Sequence, residues 1–508
     1  MLAKVFGCAI VGIDPYLIEV EVDVSGGLPT FEIVGLPDMT VRESKERVRT
    51  AIKNAGFELP PRKIIVNLAP ADIRKEGPGI DLAIAVGILA ATGQLNKSNL
   101  AKYVLVGELS LDSRLRPVAG ILPISLFLAQ DTTKALILPS ENSNEALWAH
   151  VDSYSFSNLS QVVAFLEEPC GVVPGRQVKP AGLDGIDECE GSDIRELKGQ
   201  KMAKRALEVA AAGGHNVLLI GAPGSGKSML ARCLPSILPP LTVDEALEVS
   251  KIYSVAGLLS KDMPLVKKRP FRSPHHSLSQ ASLIGGGQVP KPGEVTLATH
   301  GILFLDELPE YRRDVLEALR QPLEDHIVTI SRVAAATTYP ANFQLIAAAN
   351  PCYCGYYGDP QKECTCTPFQ VNKYRNKISG PLLDRIDIHI AVPRMTFNEL
   401  DDEVQQESSK DVRERVALAR KRQLQRFQGS VINCNARMSV KEVKQYCKIK
   451  SDARELFKKA FCSLSLSARA YDRVLKLALT IADLAGADEI SNAHIAEAIQ
   501  YRSFDRKI

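Results

Sequence analysis

The chain is 508 residues long, 45% apolar and 24% charged, with 62 basic against 59 acidic side chains and a formal net charge of +3. That length suffices for about two to four domains with cores of their own, and so mild a charge does not by itself announce a nucleic-acid partner. No apolar run approaches the roughly 20 residues of a membrane-spanning helix, and the longest, "IDLAIAVGILAA", opens with Asp81, which excludes a bilayer-spanning role.

The amino terminus, "MLAKVFGCAIVGIDPYL", imitates a secretion signal loosely, with one lysine and a short apolar run. It leads through Gly7 and Gly12 into "LIEVEVDV", whose strict alternation predicts a half-buried strand, so the run reads as the first strands of a domain. A cytoplasmic address follows, and in that reducing compartment Cys8, Cys233 and Cys462 read as free thiols. Further along, strands ("KIIVNLAP", "YVLVGELSL", "KALILPS") alternate with helical stretches ("DMTVRESKERVRTAIKNAG", "IDLAIAVGILAATG"), which predicts an α/β or α+β domain over residues 1–167. Segment 168–192 is rich in Pro, Gly and charge without periodicity and reads as a linker. A second, α/β region spans 193–395, and over 396–508 the apolar spacing is helical almost throughout.

In "HNVLLIGAPGSGKSMLARCL" an apolar strand runs into Gly221-Ala222-Pro223-Gly224-Ser225-Gly226-Lys227-Ser228-Met229 and then into a helix, the context a phosphate-binding loop requires. The glycines let backbone N–H groups converge on phosphates at the positive end of the new helix. Lys227 is placed to neutralise the β and γ oxygens of ATP, and Ser228 to ligate Mg²⁺. Downstream, "GILFLDELPE" ends an apolar strand on Asp306, to hold the magnesium, and Glu307, to orient or deprotonate the attacking water. "FQLIAAANP" ends another on Asn350, whose amide is suited to positioning that water. "GPLLDRIDIHI" carries Arg385, a candidate finger for a neighbouring subunit's nucleotide. In "SLSARAYDRVL", Arg469 at a helix start, with Arg473 one turn on as its competitor, is the first choice for the second sensor arginine that a resemblance to AAA+ ATPases implies.

The order of these parts is that of AAA+ ATPases. The passage "RPFRSPHHSLSQASLIGGGQVPKPGEVTLATHGILFLDELPEYRRDVLEALRQPLE" closely resembles the magnesium-chelatase-like AAA+ family of the YifB and ComM type, as do "FEIVGLPDMTVRESKERVRTAI" and "NPCYCG…SGPLLDRID". The resemblance covers essentially the whole chain. It implies a homohexameric ring built on a P-loop AAA+ α/β core, with a helix-2 insert, a pre-sensor hairpin and a carboxy-terminal helical lid. For the ComM branch it implies an ATP-driven helicase that migrates DNA branches during natural transformation. The alternative is a chaperone-type ATPase that remodels protein partners, as magnesium-chelatase motor subunits do.

The residues add weaker pointers to DNA. "HIVTISRVAAATTYP" predicts a hairpin with Arg332 near its tip, and Lys291 lies in the Gly/Pro-rich "GGGQVPKPGE". Either could meet a phosphate backbone in a ring's pore, although a lone charge is more often simply solvated. On the helix "KDVRERVALARKRQLQRF", Arg413, Arg415, Arg420, Lys421, Arg422 and Arg426 read as a basic collar or a solvated face. His275 and His276, being adjacent, are expected to point apart and to be structural.

"ADIRKEGPGIDLAIAVGILAATG" and "VLVGELSLDSRLRPVAGILPISLFLAQDTTKALILPSEN" resemble the proteolytic domain of Lon. The matching puts Gly79 where that family has its nucleophilic serine and Ile124 where it has the activating lysine, and neither residue can do that chemistry. Finally, Cys352, Cys354, Cys364 and Cys366 form C-x-C-x₉-C-x-C. Paired thiols closing a short loop in a reducing compartment suit tetrahedral Zn²⁺, with free thiols and a disulfide or redox role as alternatives.

Overall fold

The computed structural model describes residues 1–508 apart from 74, 76, 132, 170–171, 176–191, 261–264, 288–290, 332–335, 396–405, 431, 465–466 and 503–508. These residues fall into two units, one made by the amino-terminal part together with Thr242–Lys267 and the other by the rest of the chain.

In the first unit, Leu2–Val11 (β1) and Asp14–Ser25 (β2) pair antiparallel. The alternation foreseen for β2 is present: Ile18, Val20, Val22 and Val24 are buried, while Glu19, Glu21 and Asp23 between them are half-exposed. There follow Phe31–Val34 (β3), helix Met39–Asn54 (α1), Lys63–Ala69 (β4), helix Asp81–Ala91 (α2), Tyr103–Leu105 (β5), helix Ile121–Leu128 (α3), Ala135–Pro139 (β6), Ser153–Phe156 (β7) and helix Leu159–Glu167 (α4). The seven strands form one sheet in the order β3-β4-β2-β1-β5-β6-β7.

Asp38 starts α1 by accepting from the Val41 amide at 2.7 Å, and the buried stripe Val41, Ser44, Val48, Ala51, Ile52 follows helical spacing. Every residue of α2 is buried, as befits a helix apolar on all sides. Gly87 lets α2 lie close on the sheet, because a Cβ there would come within 2.7 Å of Val22 Cγ2. Burial pushes the Asp81 carboxyl up, against the pull of Arg47 and Ser44. Arg47 Nε donates to it at 2.9 Å and the Leu109 amide at 3.3 Å, so a buried charge is matched rather than stranded.

A side chain at Gly79 would meet only Val106 and Val118, at 3.8 and 4.0 Å. Ile124 is buried in a cluster with Cys8, Val104, Val106, Leu136 and Leu138. Both positions compared with the Lon dyad are thus apolar. Most of segment 168–192 lies outside the described residues, but Gly175 bridges to Ser153 in β7, its amide donating to the Ser153 carbonyl at 2.8 Å. Helix Val243–Val255, which lies within the 193–395 region in sequence, packs on α3 in the first unit. The Gly120 amide donates to the Ser254 carbonyl at 3.1 Å, and Ser254 Oγ to Glu145 at 2.7 Å.

The second unit contains helix Lys201–Gly213 (α5), Val217–Ile220 (β8), helix Lys227–Ile237 (α6), Phe271–Arg272 (β9), Gly285–Gly286 (β10), Lys291–Pro292 (β11), Ile302–Leu305 (β12), helix Arg320–Asp325 (α7), Ile327–Ser331 (β13), Ala336–Pro340 (β14), Gln344–Ala349 (β15) and Ile388–Ala391 (β16). Its main sheet is parallel throughout, in the order β9-β12-β15-β8-β16. Burial on both faces explains why β8, β12 and β15 read as unbroken apolar runs. Helices Ser409–Arg426 (α8), Ser451–Leu464 (α9), Ala468–Leu484 (α10) and Asn492–Gln500 (α11) make the carboxy-terminal part helical, as its spacing predicts. Among the described residues no helix is long and apolar enough to cross a membrane.

The sequence reads α8 as a basic collar or a solvated face, and the packing gives four of its arginines neither role. Arg415 pairs with Glu208 at 2.6 Å and with Glu407, and Arg420 donates to the Ala211 carbonyl at 2.9 Å. Arg422 donates to the carbonyls of Gly486 and Ala487 at 3.0 and 3.1 Å, and Arg426 pairs with the fully buried Asp483. These four guanidiniums fasten α8 to its neighbours instead of forming an outward face. Asp483→Ala is expected to lower the stability of this unit by about 3 kcal/mol, because it leaves Arg426 without its buried counter-charge. A urea midpoint that does not move would show the pair contributes nothing.

Candidate active site

The carboxy-terminal ends of β12, β15 and β8, neighbours in the parallel sheet, bring the predicted residues together, at the edge where open α/β sheets hold their ligands. After β8 the chain turns through Gly224 and Gly226, whose φ values of 77° and 88° favour glycine, and enters α6 at Lys227. Gly221 is needed for a different reason, since a Cβ there would fall 2.3 Å from the Val392 carbonyl oxygen.

Lys227 is buried, which depresses its pKa, and its ammonium donates to the carbonyls of Gly221 at 2.7 Å and Ala222 at 2.9 Å. It also reaches Asn350 Oδ1 at 3.2 Å, so the last residue of the β15 run meets the phosphate loop directly. Ser228 Oγ donates to Asp306 Oδ2 at 2.8 Å, and the Glu307 amide to Asp306 Oδ1 at 2.9 Å. Ser225 is buried with its hydroxyl unpartnered among the described residues, Pro223 is exposed, Ala222 is buried, and Met229 is exposed in the first turn of α6.

These features fit a magnesium nucleotide. Two oxygen donors, from Ser228 and Asp306, converge on one point, the space beside Gly224 is open, and an unsatisfied hydroxyl and an ammonium face the loop.

Glu307 is exposed and holds a left-handed backbone, φ 51° and ψ 47°, which is uncommon for a non-glycine residue. His276 Nδ1 stands 3.8 Å from its carboxylate. The two histidines do not point apart as expected: their ring centroids are 4.1 Å apart, because they sit where the chain leaves β9 for a turn and strand alternation no longer applies. Tyr311 packs edge-on against His276 and donates its hydroxyl to the Pro274 carbonyl at 2.7 Å, which fixes this turn beside Glu307. Only the pair "HH" hinted at this contact in the sequence.

Arg385 is largely buried, pairs with Glu324 on α7, and donates to the Pro381 carbonyl at 2.7 Å. Arg469 is exposed in the first turn of α10, whereas Arg473 is largely buried and lies 3.4 Å from Asp387. His215 bonds Asp387 at 3.2 Å and Thr480 at 2.9 Å. Although burial alone would raise it, the Asp387 carboxyl is held well below the usual range by His215 and Arg473. Arg473 thus ties α10 to the start of β16.

Lys291 is exposed on β11, which pairs with β10. Arg332 lies outside the described residues; the strands on either side of it, β13 and β14, pair from Ile327↔Pro340 to Ser331↔Ala336. A Cβ at Gly285 would lie 3.0 Å from Ile330, so the β10–β11 ribbon rests on this hairpin. The sulfurs of Cys352, Cys354, Cys364 and Cys366 all lie within 4.8 Å of one another. Cys8 and Cys233 are buried free thiols and Cys462 an exposed one.

Three family models match the chain: magnesium chelatase subunit ChlI over residues 193–400, subunit ChlI of Mg-chelatase over 20–142, and the magnesium chelatase subunit ChlI carboxy-terminal model over 406–502. The chain is 43% identical to the competence protein ComM of Haemophilus influenzae, over 99% of this chain and 98% of that one. It is 44% identical to YifB of Salmonella typhimurium over the same shares. A shorter match, 26% identical over 33% of this chain and 32% of the other, is to Lon protease 2 of Bacillus subtilis.

Lys227→Ala is expected to weaken binding of a fluorescent ATP analogue by about 100-fold, the scale of one lost charge-assisted contact. Titration at equal protein concentration measures it, and unchanged affinity would reject the loop as the phosphate site.

Proposed function

Because this chain belongs to the magnesium-chelatase ChlI-type AAA+ family, on the side of ComM and YifB, we propose that it is a cytoplasmic, ATP-driven ring motor that acts on DNA. Its most specific form is a homohexameric branch-migration helicase supporting recombination in natural transformation. The observation that carries the reading is the joining of the phosphate loop to two neighbouring strand ends, by Ser228 with Asp306 and by Lys227 with Asn350.

In this reading the backbone amides of Gly221–Ser228 and the start of α6 receive the phosphates. Lys227 moves its hydrogen bonds from loop carbonyls to phosphate oxygens. Mg²⁺, when bound, neutralises charge on the β and γ phosphates. Ser228 and Asp306 would hold it. Glu307 accepts the proton of the attacking water, or orients it, and Asn350 steadies that water from the facing strand. Arg385 acts on a neighbour's nucleotide, and leaving Glu324 is part of that act. Arg469, on the helical lid, is the second sensor.

The β10–β11 ribbon with Lys291 and the hairpin carrying Arg332 face a central pore and contact the phosphate backbone of the DNA, single-stranded or branched. The first unit is a Lon-like fold without peptidase chemistry, since Gly79 offers no nucleophile and Ile124 no base. The four cysteines hold a structural Zn²⁺. The name of the matching family favours a second reading, a chaperone-type ATPase that remodels protein partners.

Glu307→Gln should retain ATP while turnover falls about 10²- to 10⁴-fold, the range for loss of a general base. Arg385→Ala should bind ATP normally and lose hydrolysis only under conditions where rings assemble. ATPase assays with and without single-stranded and forked DNA separate the two readings. Stimulation supports the DNA motor, and indifference to every DNA offered supports the chaperone.

A further inference from the structure

The residues from Pro351 to Thr367 contain no helix or strand, yet they press on the phosphate loop. What gives this lobe its shape is the cysteine cluster. Cys352 Sγ lies 3.3 Å from Cys354 Sγ and 3.6 Å from Cys364 Sγ, and the last two are 3.5 Å apart. The Cys354 amide donates to Cys366 Sγ at 3.4 Å. All four are free of disulfides. Four sulfur donors this close, with a backbone amide turned toward one of them, are the donor set of a single tetrahedral soft cation.

The lobe meets the phosphate loop at Pro223. Gly355, buried with φ 84°, seats against the proline ring, where a Cβ would fall 2.6 Å from Cδ and 2.8 Å from Cγ. Arg394 in turn donates to the Pro223 carbonyl at 3.2 Å. The same guanidinium pairs with Asp359 at 3.3 Å and lies over the Tyr356 ring at 5.1 Å, both residues of the lobe. A third link is covalent, since Cys352 follows Asn350 by two residues and Asn350 holds Lys227.

We propose that zinc at the four cysteines stiffens this lobe into a brace on Pro223, so that affinity for nucleotide depends on whether the metal is bound. The proposal rests on reading the loop as a nucleotide site and the cysteines as a zinc site. Coupling of this kind is reciprocal: if zinc strengthens nucleotide binding by some factor, nucleotide strengthens zinc binding by the same factor.

The test uses the full chain, purified under reducing conditions, with zinc measured by elemental mass spectrometry. Affinity for a fluorescent, non-hydrolysable ATP analogue is measured as purified, after chelation, and after zinc is restored. The expected result is one zinc per chain and a loss of affinity on chelation of about tenfold, within the usual span of coupling between sites, reversed by zinc. Arg394→Ala should keep its zinc and lose affinity to a similar degree, which distinguishes the brace from unfolding of the lobe. Saturating analogue should protect zinc against a competing chelator by the same factor.

Native protein without zinc overturns the metal site. Zinc present, with the stripped protein and Arg394→Ala both binding nucleotide at undiminished affinity, overturns the brace and leaves the nucleotide reading standing. Zinc-loaded native protein that binds no analogue overturns the nucleotide reading itself.

Discussion

A buried ammonium cannot be left without partners, and the second unit is arranged around that constraint. Lys227 is out of water, and it is satisfied by two carbonyls of its own loop and by the side chain of Asn350. The hydrogen bond from Ser228 to Asp306 draws in a third strand end. Three neighbouring strands are therefore tied at one edge by two side chains of consecutive residues. In the proposed reading, a phosphate that claims this ammonium displaces partners it already has, one of them at the end of β15.

The same economy appears at Arg385 and Arg473. Each guanidinium is largely buried and matched by a carboxylate, Glu324 and Asp387. Glu324 belongs to the helix that leads into the β13–β14 hairpin, and Asp387 to the strand entry that His215, itself bonded to Thr480, also grips. Charges that look alike in sequence thus differ in what they hold: Arg385 is joined to the helix before a hairpin, Arg473 to the sheet, and Arg469 stands in solvent.

What could be read in advance was local. The phosphate loop announces itself because positive φ at Gly224 and Gly226 must be bought with glycine and because strand, loop and helix are contiguous. Asp306, Glu307 and Asn350 were legible as polar residues ending apolar runs, and the fully buried α2 as an apolar run too short to span a bilayer. Partners far along the chain were not legible. The arginines of α8 read as a basic collar or a solvated face, yet Arg420 finds its acceptor 209 residues away, and Arg385 its carboxylate 61 residues away. Adjacency misled at His275 and His276, because a turn does not alternate its side chains as a strand does. Helical spacing in Val243–Val255 shows a buried face without saying which unit receives it.

That helix makes the chain pass between the two units at three places rather than one. Cutting in the Pro/Gly-rich stretch near residue 180 therefore does not yield a self-sufficient carboxy-terminal fragment. Such a fragment keeps Ala246, Val249 and Ile252, all fully buried in the intact protein, on a helix whose packing partner α3 has been removed. The exposed apolar stripe would invite self-association, and any attempt to study the two halves apart has to excise or resurface that helix first.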